Sequence, residues 1–237
     1  MTKKQLIKLC FWISLVGLIL LLNGGAIMLY KTAKDAKTEQ QTNQPITLET
    51  VRERAAEAKQ YIVVAETIEY YKTHKNNNGY NQDPEYLLKI WALCNLYAEL
   101  ITDTRWVDTI KQPKAYREKV KAELCAVDIP LFMFCVSSDE SNFNPAALAV
   151  NRNKTTDKGI TQINQVCFPE IDIHLTPELR ERCWTDEEKN IAGRYVWIMN
   201  RIKAGQKWDI MTTKRGWALY RRINTRTQGI AGEKSCL

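Results

Sequence analysis

The sequence predicts an all-α protein in which one membrane-spanning helix precedes a helical body. Three observations carry this. Leu9 to Tyr30 is an almost unbroken apolar run. From Thr47 onward, apolar side chains recur at three- and four-residue steps, the period of an amphipathic helix. The same region shows no period-2 alternation and no internal repeat.

The apolar run is long enough to span a membrane. A helix rises about 1.5 Å per residue, so the run crosses a hydrocarbon core of roughly 30 Å. Trp12 and Tyr30 stand near its ends, where amphipathic rings favour the interface. Lys3, Lys4 and Lys8 precede it as in a signal peptide, but its length and the lack of a nearby small-x-small site favour an uncleaved anchor over residues 1–30. Lys31, Lys34 and Lys37 flank the other side, so lysines do not fix the orientation. The short leading segment favours an inner-membrane, single-pass protein with its body outside the cytoplasm, in the periplasm.

Residues 31–46 are polar, without apolar period, and read as a linker. Residues 47–126 read as a helical region. Its first stripe is Val51, Ala55, Ala58, Ile62, Ala65 and Ile68, ending at Asn76-Asn77-Asn78-Gly79. Asp83-Pro84 restarts a helix with Asp83 as N-cap, and Leu87, Ile90, Trp91, Cys94, Tyr97 and Ile101 form its stripe. A further helix is expected from Pro113 to about Cys125.

The net charge of +7 suits an anionic setting but does not choose one. The seven cysteines form no CxxC pair and there are two histidines, so no metal site is expected. Outside the cytoplasm, disulfides are allowed. Cys167 and Cys183, which flank a proline-containing segment, are the expected pair.

Residues 127–237 carry the chemistry. Asp128-Ile129-Pro130 starts a helix whose Leu131–Val136 segment is almost wholly apolar, so it is expected at the centre of a bundle. Pro145 ends it near Ser141 to Phe143. Glu140 therefore stands in the last turn of a buried helix, with Met133, Val136 and Phe143 on its face. Apolar neighbours and the negative end of the helix dipole both favour the protonated acid. A general acid for glycosidic cleavage needs that state. Asp139 points off that face. Asn151 to Lys158 reads as a polar loop. Gly159-Ile160-Thr161-Gln162-Ile163-Asn164 then offers a glycine for close backbone approach and two amides, Gln162 and Asn164, suited to sugar hydroxyls and N-acetyl groups.

With these pieces in order, the segment from about Val127 to Asn224 resembles the soluble lytic transglycosylase family, which has the lysozyme-like fold. The matching blocks are Ile129-Pro130-Leu131, Glu140-Ser141-Asn142-Phe143-Asn144-Pro145, Gly159-Ile160-Thr161-Gln162-Ile163, Asn190-Ile191-Ala192-Gly193 and, more weakly, Trp217-Ala218-Leu219-Tyr220 with Asn224. The resemblance implies that Glu140 alone protonates the glycosidic oxygen between MurNAc and GlcNAc and then takes the proton of the MurNAc 6-hydroxyl, leaving a 1,6-anhydro end. It implies no metal and no cofactor, and places Ser141 and Gln162 at the substrate. The family's tyrosine before the last asparagine is Ile223 here, so Tyr220, one turn earlier, is its expected replacement beside Asn224. Cys167 to Lys189 reads as a remodelled lobe.

Peptidoglycan glycan strands are then the expected partner, together with the membrane. Local wall opening serves secretion, conjugation, pilus and phage machines, and no feature names one. A lysozyme-type hydrolase is the second reading, with Asp157 as the carboxylate opposite Glu140. A non-catalytic wall-binding assembly module is the third. The basic cluster Lys214, Arg215, Arg221, Arg222, Arg226 reads as a solvated face or a contact to anionic glycan, and no nucleic acid is expected.

Overall fold

A computed structural model describes residues 48–74, 78–208 and 214–228; the expected anchor and linker lie outside them. Among the described residues no helix is long and apolar enough to cross a membrane. The chain is mostly helical. Its elements are α1 (Leu48–Lys72), α2 (Pro84–Thr102), α3 (Lys114–Ala126), α4 (Ile129–Ser141), β1 (Leu148–Val150), β2 (Thr156–Lys158), β3 (Ile163–Asn164), α5 (Phe168–Asp172), α6 (Pro177–Glu181), α7 (Glu187–Lys203) and α8 (Lys214–Thr227).

The expected helix starts form as their caps dictate. The Asp83 carboxylate accepts from the backbone N–H groups of Glu85 and Tyr86, with Pro84 opening α2. Asp128 accepts from Leu131 N–H and opens α4. Leu87, Ile90, Trp91, Cys94 and Ile101 are buried as expected, whereas Tyr97 lies at the margin and donates its hydroxyl to Glu188 at 2.7 Å.

The first helix is rotated from its expected stripe. Val63, Val64, Thr67, Tyr70 and Tyr71 face the core, while Ala58 and Ala65 are exposed. Two polar anchors set the rotation. Lys59 pairs with Asp128 at 2.6 Å, and the Tyr71 hydroxyl shares a 2.7 Å hydrogen bond with Ser138 Oγ. One partner caps α4 and the other lies in its last turns, so α1 is held along that helix at two points.

Helix α4 is the centre. Every residue from Leu131 to Asp139 is buried. It packs against α2 and α8, and α2 also packs against α7. Trp91, Phe134, Phe143 and Tyr71 form a chain of edge-on or tilted ring contacts through this core. One core cluster draws residues from both sides of position 126, so α1–α3 and the later helices share a single interior. The described residues from Arg52 onward form one compact unit.

The polar stretch read as a loop forms a small antiparallel sheet of order β1-β2-β3, pairing Ala149 with Asp157 and Asp157 with Asn164. Its strands are two or three residues long and partly exposed, too short to show an alternating pattern. A second core of Ile163, Ile171, Leu175, Leu179, Ala192 and Val196 supports α5 and α6 against α7. This is the segment expected as a remodelled lobe. The expected Cys167–Cys183 disulfide is absent: both are free thiols, as are Cys94 and Cys135. Cys183 instead shares a 3.0 Å hydrogen bond with Thr185 beside it. Cys125 is disulfide-bonded.

Candidate active site

Helix α4 ends in a left-handed cap. Asn142 (φ 55°) and Phe143 (φ 65°) both lie in the region that L residues avoid. Their N–H groups close onto the Ser138 and Ser137 carbonyls, which the end of the helix would otherwise leave unpaired. Burying the Phe143 ring at zero exposure holds this geometry. The turn leaves Glu140 at the edge of the core, with 23% of its side chain exposed.

The three strongest sequence blocks converge here. Ser141 Oγ donates to the Ile160 carbonyl at 2.7 Å and to the Ser137 carbonyl at 3.1 Å, tying the Gly159–Gln162 turn to the end of α4. Asn190, at zero exposure on α7, holds the same turn from behind. Its Oδ1 accepts from Thr161 N–H (2.7 Å) and Thr161 Oγ1 (2.8 Å), and its Nδ2 donates to the carbonyls of Lys158 and Trp184. Gly159 has φ 80°, and a Cβ there would run into the Asn190 amide and the Trp184 carbonyl. Gly193 lies against the Trp184 ring, where a Cβ would meet Cζ3 at 2.7 Å. Both glycines are therefore positions of close approach.

Arg194, next to Gly193, reaches Glu140. Its Nη2 lies 3.2 Å from Glu140 Oε1, and its side chain is only 7% exposed. The guanidinium also sits 4.3 Å from the centroid of the Trp197 ring, and Arg201 sits 4.9 Å from that ring's centroid. Burial pushes the Glu140 carboxyl above its ordinary range, and the charges of Asp139 and Asp157 add to this. Arg194 pulls the other way without cancelling it. Burial likewise moves the Arg194 guanidinium below its usual value, and Glu140 partly restores it. Arg194 is the site residue that sequence reasoning missed. Its position one residue past the Asn190–Gly193 block, inside the apolar Ile191–Ile198 stretch of the helix, was the available signal.

Asp157 lies on β2, the middle strand, where Asn164 Nδ2 donates to its Oδ1 at 2.7 Å. Its charge acts on both Glu140 and Arg194. Asp139 is buried, and its charge also acts on Glu140.

The expected substrate amides are engaged within the fold. Gln162 (φ 50°) donates its Nε2 to the carbonyls of Ala147 (3.0 Å) and Gly159 (2.8 Å). Asn164 donates to Thr155 and Asp157, and its Oδ1 accepts from Val166 N–H. Tyr220 is a correction. Its hydroxyl accepts from Asp128 N–H at 3.1 Å, at the far end of α4 from Glu140. The twelve helical steps from Asp128 to Glu140 span about 18 Å, so this hydroxyl cannot reach the acid. Ile223 is fully buried against α4, and Asn224 follows it at half exposure.

Among the described residues no group of three His, Cys, Asp or Glu side chains could hold a metal ion. A cavity of about 300 Å³ between α3 and the Gly205–Trp208 turn, walled by Tyr116, Val120, Glu123 and Trp208, includes none of the residues around Glu140. Compared with protein-family models, curated proteins and solved structures, the chain matches none.

Proposed function

We propose that the chain is a membrane-anchored peptidoglycan lytic transglycosylase with a lysozyme-like catalytic body, acting in the periplasm. The observation that carries this reading is Glu140, a carboxyl raised by burial at the end of the central helix and joined through Ser141 to the Gly159–Gln162 turn. A proton held on a carboxyl above its ordinary range is what glycosidic cleavage requires of its acid. Glu140 donates that proton to the GlcNAc O4 as its bond to the MurNAc anomeric carbon breaks. The resulting carboxylate takes the proton of the MurNAc 6-hydroxyl as O6 bonds to the same carbon. The glutamate ends as it began, and the product carries a 1,6-anhydro end. The Cys125 disulfide favours an oxidising compartment. An anchored enzyme of this kind would open the wall locally for a secretion, conjugation, pilus or phage machine.

One observation favours a second reading. Asp157 stands on the middle strand, braced by Asn164 and close enough for its charge to act on Glu140. A lysozyme-type hydrolase uses a second carboxylate of this kind opposite the acid. The test is product analysis on purified sacculi. Anhydro-muropeptides from the wild type and none from Glu140→Gln support the transglycosylase. Products heavier by one water, with reducing ends, transfer the assignment to the hydrolase. Wall binding without turnover by the wild type leaves only a binding module.

A further inference from the structure

The proposed reaction needs an acid that holds its proton, yet Glu140 has an arginine against one of its oxygens. An ion pair built for stability would look different. Arginine and carboxylate then pair through two parallel bonds, and a buried pair rarely stabilises a fold unless its geometry is that good. Here one guanidinium nitrogen meets one carboxylate oxygen at 3.2 Å, and among the described residues no other hydrogen bond to the Glu140 side chain is seen. The guanidinium is fixed independently by the half-buried Trp197 ring, 4.3 Å away. Trp197 lies three residues beyond Arg194, on the same face of α7.

We infer that Arg194 is a positioning residue for the proton transfers of Glu140: it holds Oε1 in place and leaves Oε2 to carry the mobile proton. This rests on the glycan-cleaving reading of the site. With Oε1 engaged, the carboxyl cannot turn freely, and one oxygen both gives and retakes the proton. The arginine charge also limits how far burial and the two aspartates raise the acid, so that the carboxylate left after the first transfer is not too reluctant to form. The charged groups around Glu140 are Asp139 on α4, Asp157 on β2 and Arg194 on α7. Arg201, from the same helix, acts on Arg194, and the Arg194 charge in turn acts on the Cys167 thiol.

The test compares the full-length wild type with Arg194→Met and Arg194→Lys by two readouts. One is the pH profile of glycan release from sacculi. The other is the carbon-13 titration of the Glu140 carboxyl, identified as the resonance lost in Glu140→Gln. Arg194→Met is expected to move the titration midpoint and the alkaline limb of the profile together to higher pH. Turnover at the optimum should fall by about a hundredfold, the scale set by a misplaced reacting group, with KM little changed. Arg194→Lys keeps the charge without the planar fork. It should hold the limb near its wild-type position while turnover stays low. If Arg194→Met does not fold, wild-type turnover in Arg194→Lys overturns the inference. So does a midpoint that stays in place in Arg194→Met. If the midpoint moves but the wild type releases no glycan, the catalytic role falls together with the reading it rests on, and only the ion pair remains.

Discussion

The two ends of α4 are built from similar parts and do opposite things. At its start, Asp128 accepts from Leu131 N–H and pairs with Lys59 at 2.6 Å, while the Tyr220 hydroxyl accepts from its backbone N–H. Each of these contacts favours one conformation. At the other end, Glu140 also has a cationic partner, but burial, Asp139 and Asp157 oppose the charge that partner favours. The cap beneath it is left-handed at two consecutive residues. A carboxylate whose neighbours agree is a structural element. One whose neighbours disagree is poised to exchange a proton. The contrast sets the proposed chemistry at one end of the helix and the anchoring at the other.

The largest expected effect is at Glu140. Glu140→Gln should lower glycan release by at least a thousandfold while far-UV circular dichroism stays unchanged, the scale of a lost general acid. In the wild type the sign of the pH dependence follows from the raised value. The acid is competent while protonated, so activity persists above the ordinary carboxylate range and falls as pH rises through the Glu140 value. The same shift makes the contribution of Glu140 to stability greatest at low pH, and that contribution is lost across the same rise.

Gly159→Ala comes next. It forces a side chain onto φ 80° and into Asn190 and the Trp184 carbonyl, so urea unfolding should show a loss of about 3 kcal/mol or more. Turnover should fall with it, because the same turn is bonded to Ser141. Asp128→Ala removes a cap and leaves Lys59, with 15% of its side chain exposed, facing a vacated partner. A loss of about 2–3 kcal/mol is expected by urea unfolding, with turnover per folded molecule preserved. Tyr220→Phe is the mildest, costing about 1 kcal/mol for one lost acceptor and leaving activity intact. A severe loss of turnover in Tyr220→Phe would break the comparison, since it would put catalysis at the anchoring end.

The sequence made α4 legible because its signals are local. Asp128, Pro130, the apolar run and Pro145 fix its start, burial and end within eighteen residues of chain. The direction of the Glu140 shift followed from the same run. What lay beyond reach depends on contacts distant in sequence. Arg194 meets Glu140 across 54 positions, and the rotation of α1 depends on Lys59 and Tyr71 finding partners 69 and 67 positions away. Gln162 and Asn164 carry the right chemistry for a sugar, but a turn with φ 50° and a strand pairing direct their amides to nearby backbone and side-chain groups. Tyr220 shares a helix with Asn224, yet its hydroxyl finds Asp128 rather than Glu140. Composition does not reveal which way such a group points.

The free cysteines give the molecule an internal clock. Cys94 on α2 and Cys135 on α4 are completely buried, and burial holds both thiols neutral. Cys183 is exposed, and its hydrogen bonds with Thr185 draw its thiol toward the reactive form. A thiol reagent added to the folded protein therefore meets an exposed thiol, Cys183, a half-buried one, Cys167, and two buried ones among the described residues. Cys183 is alkylated without any opening of the fold, at a rate set by the reagent and by its own thiolate fraction. The buried pair is alkylated only when the packing of α2 against α4 parts, so the ratio of the two rates counts those openings. The interface being timed is the one that holds the helix carrying Glu140 in place.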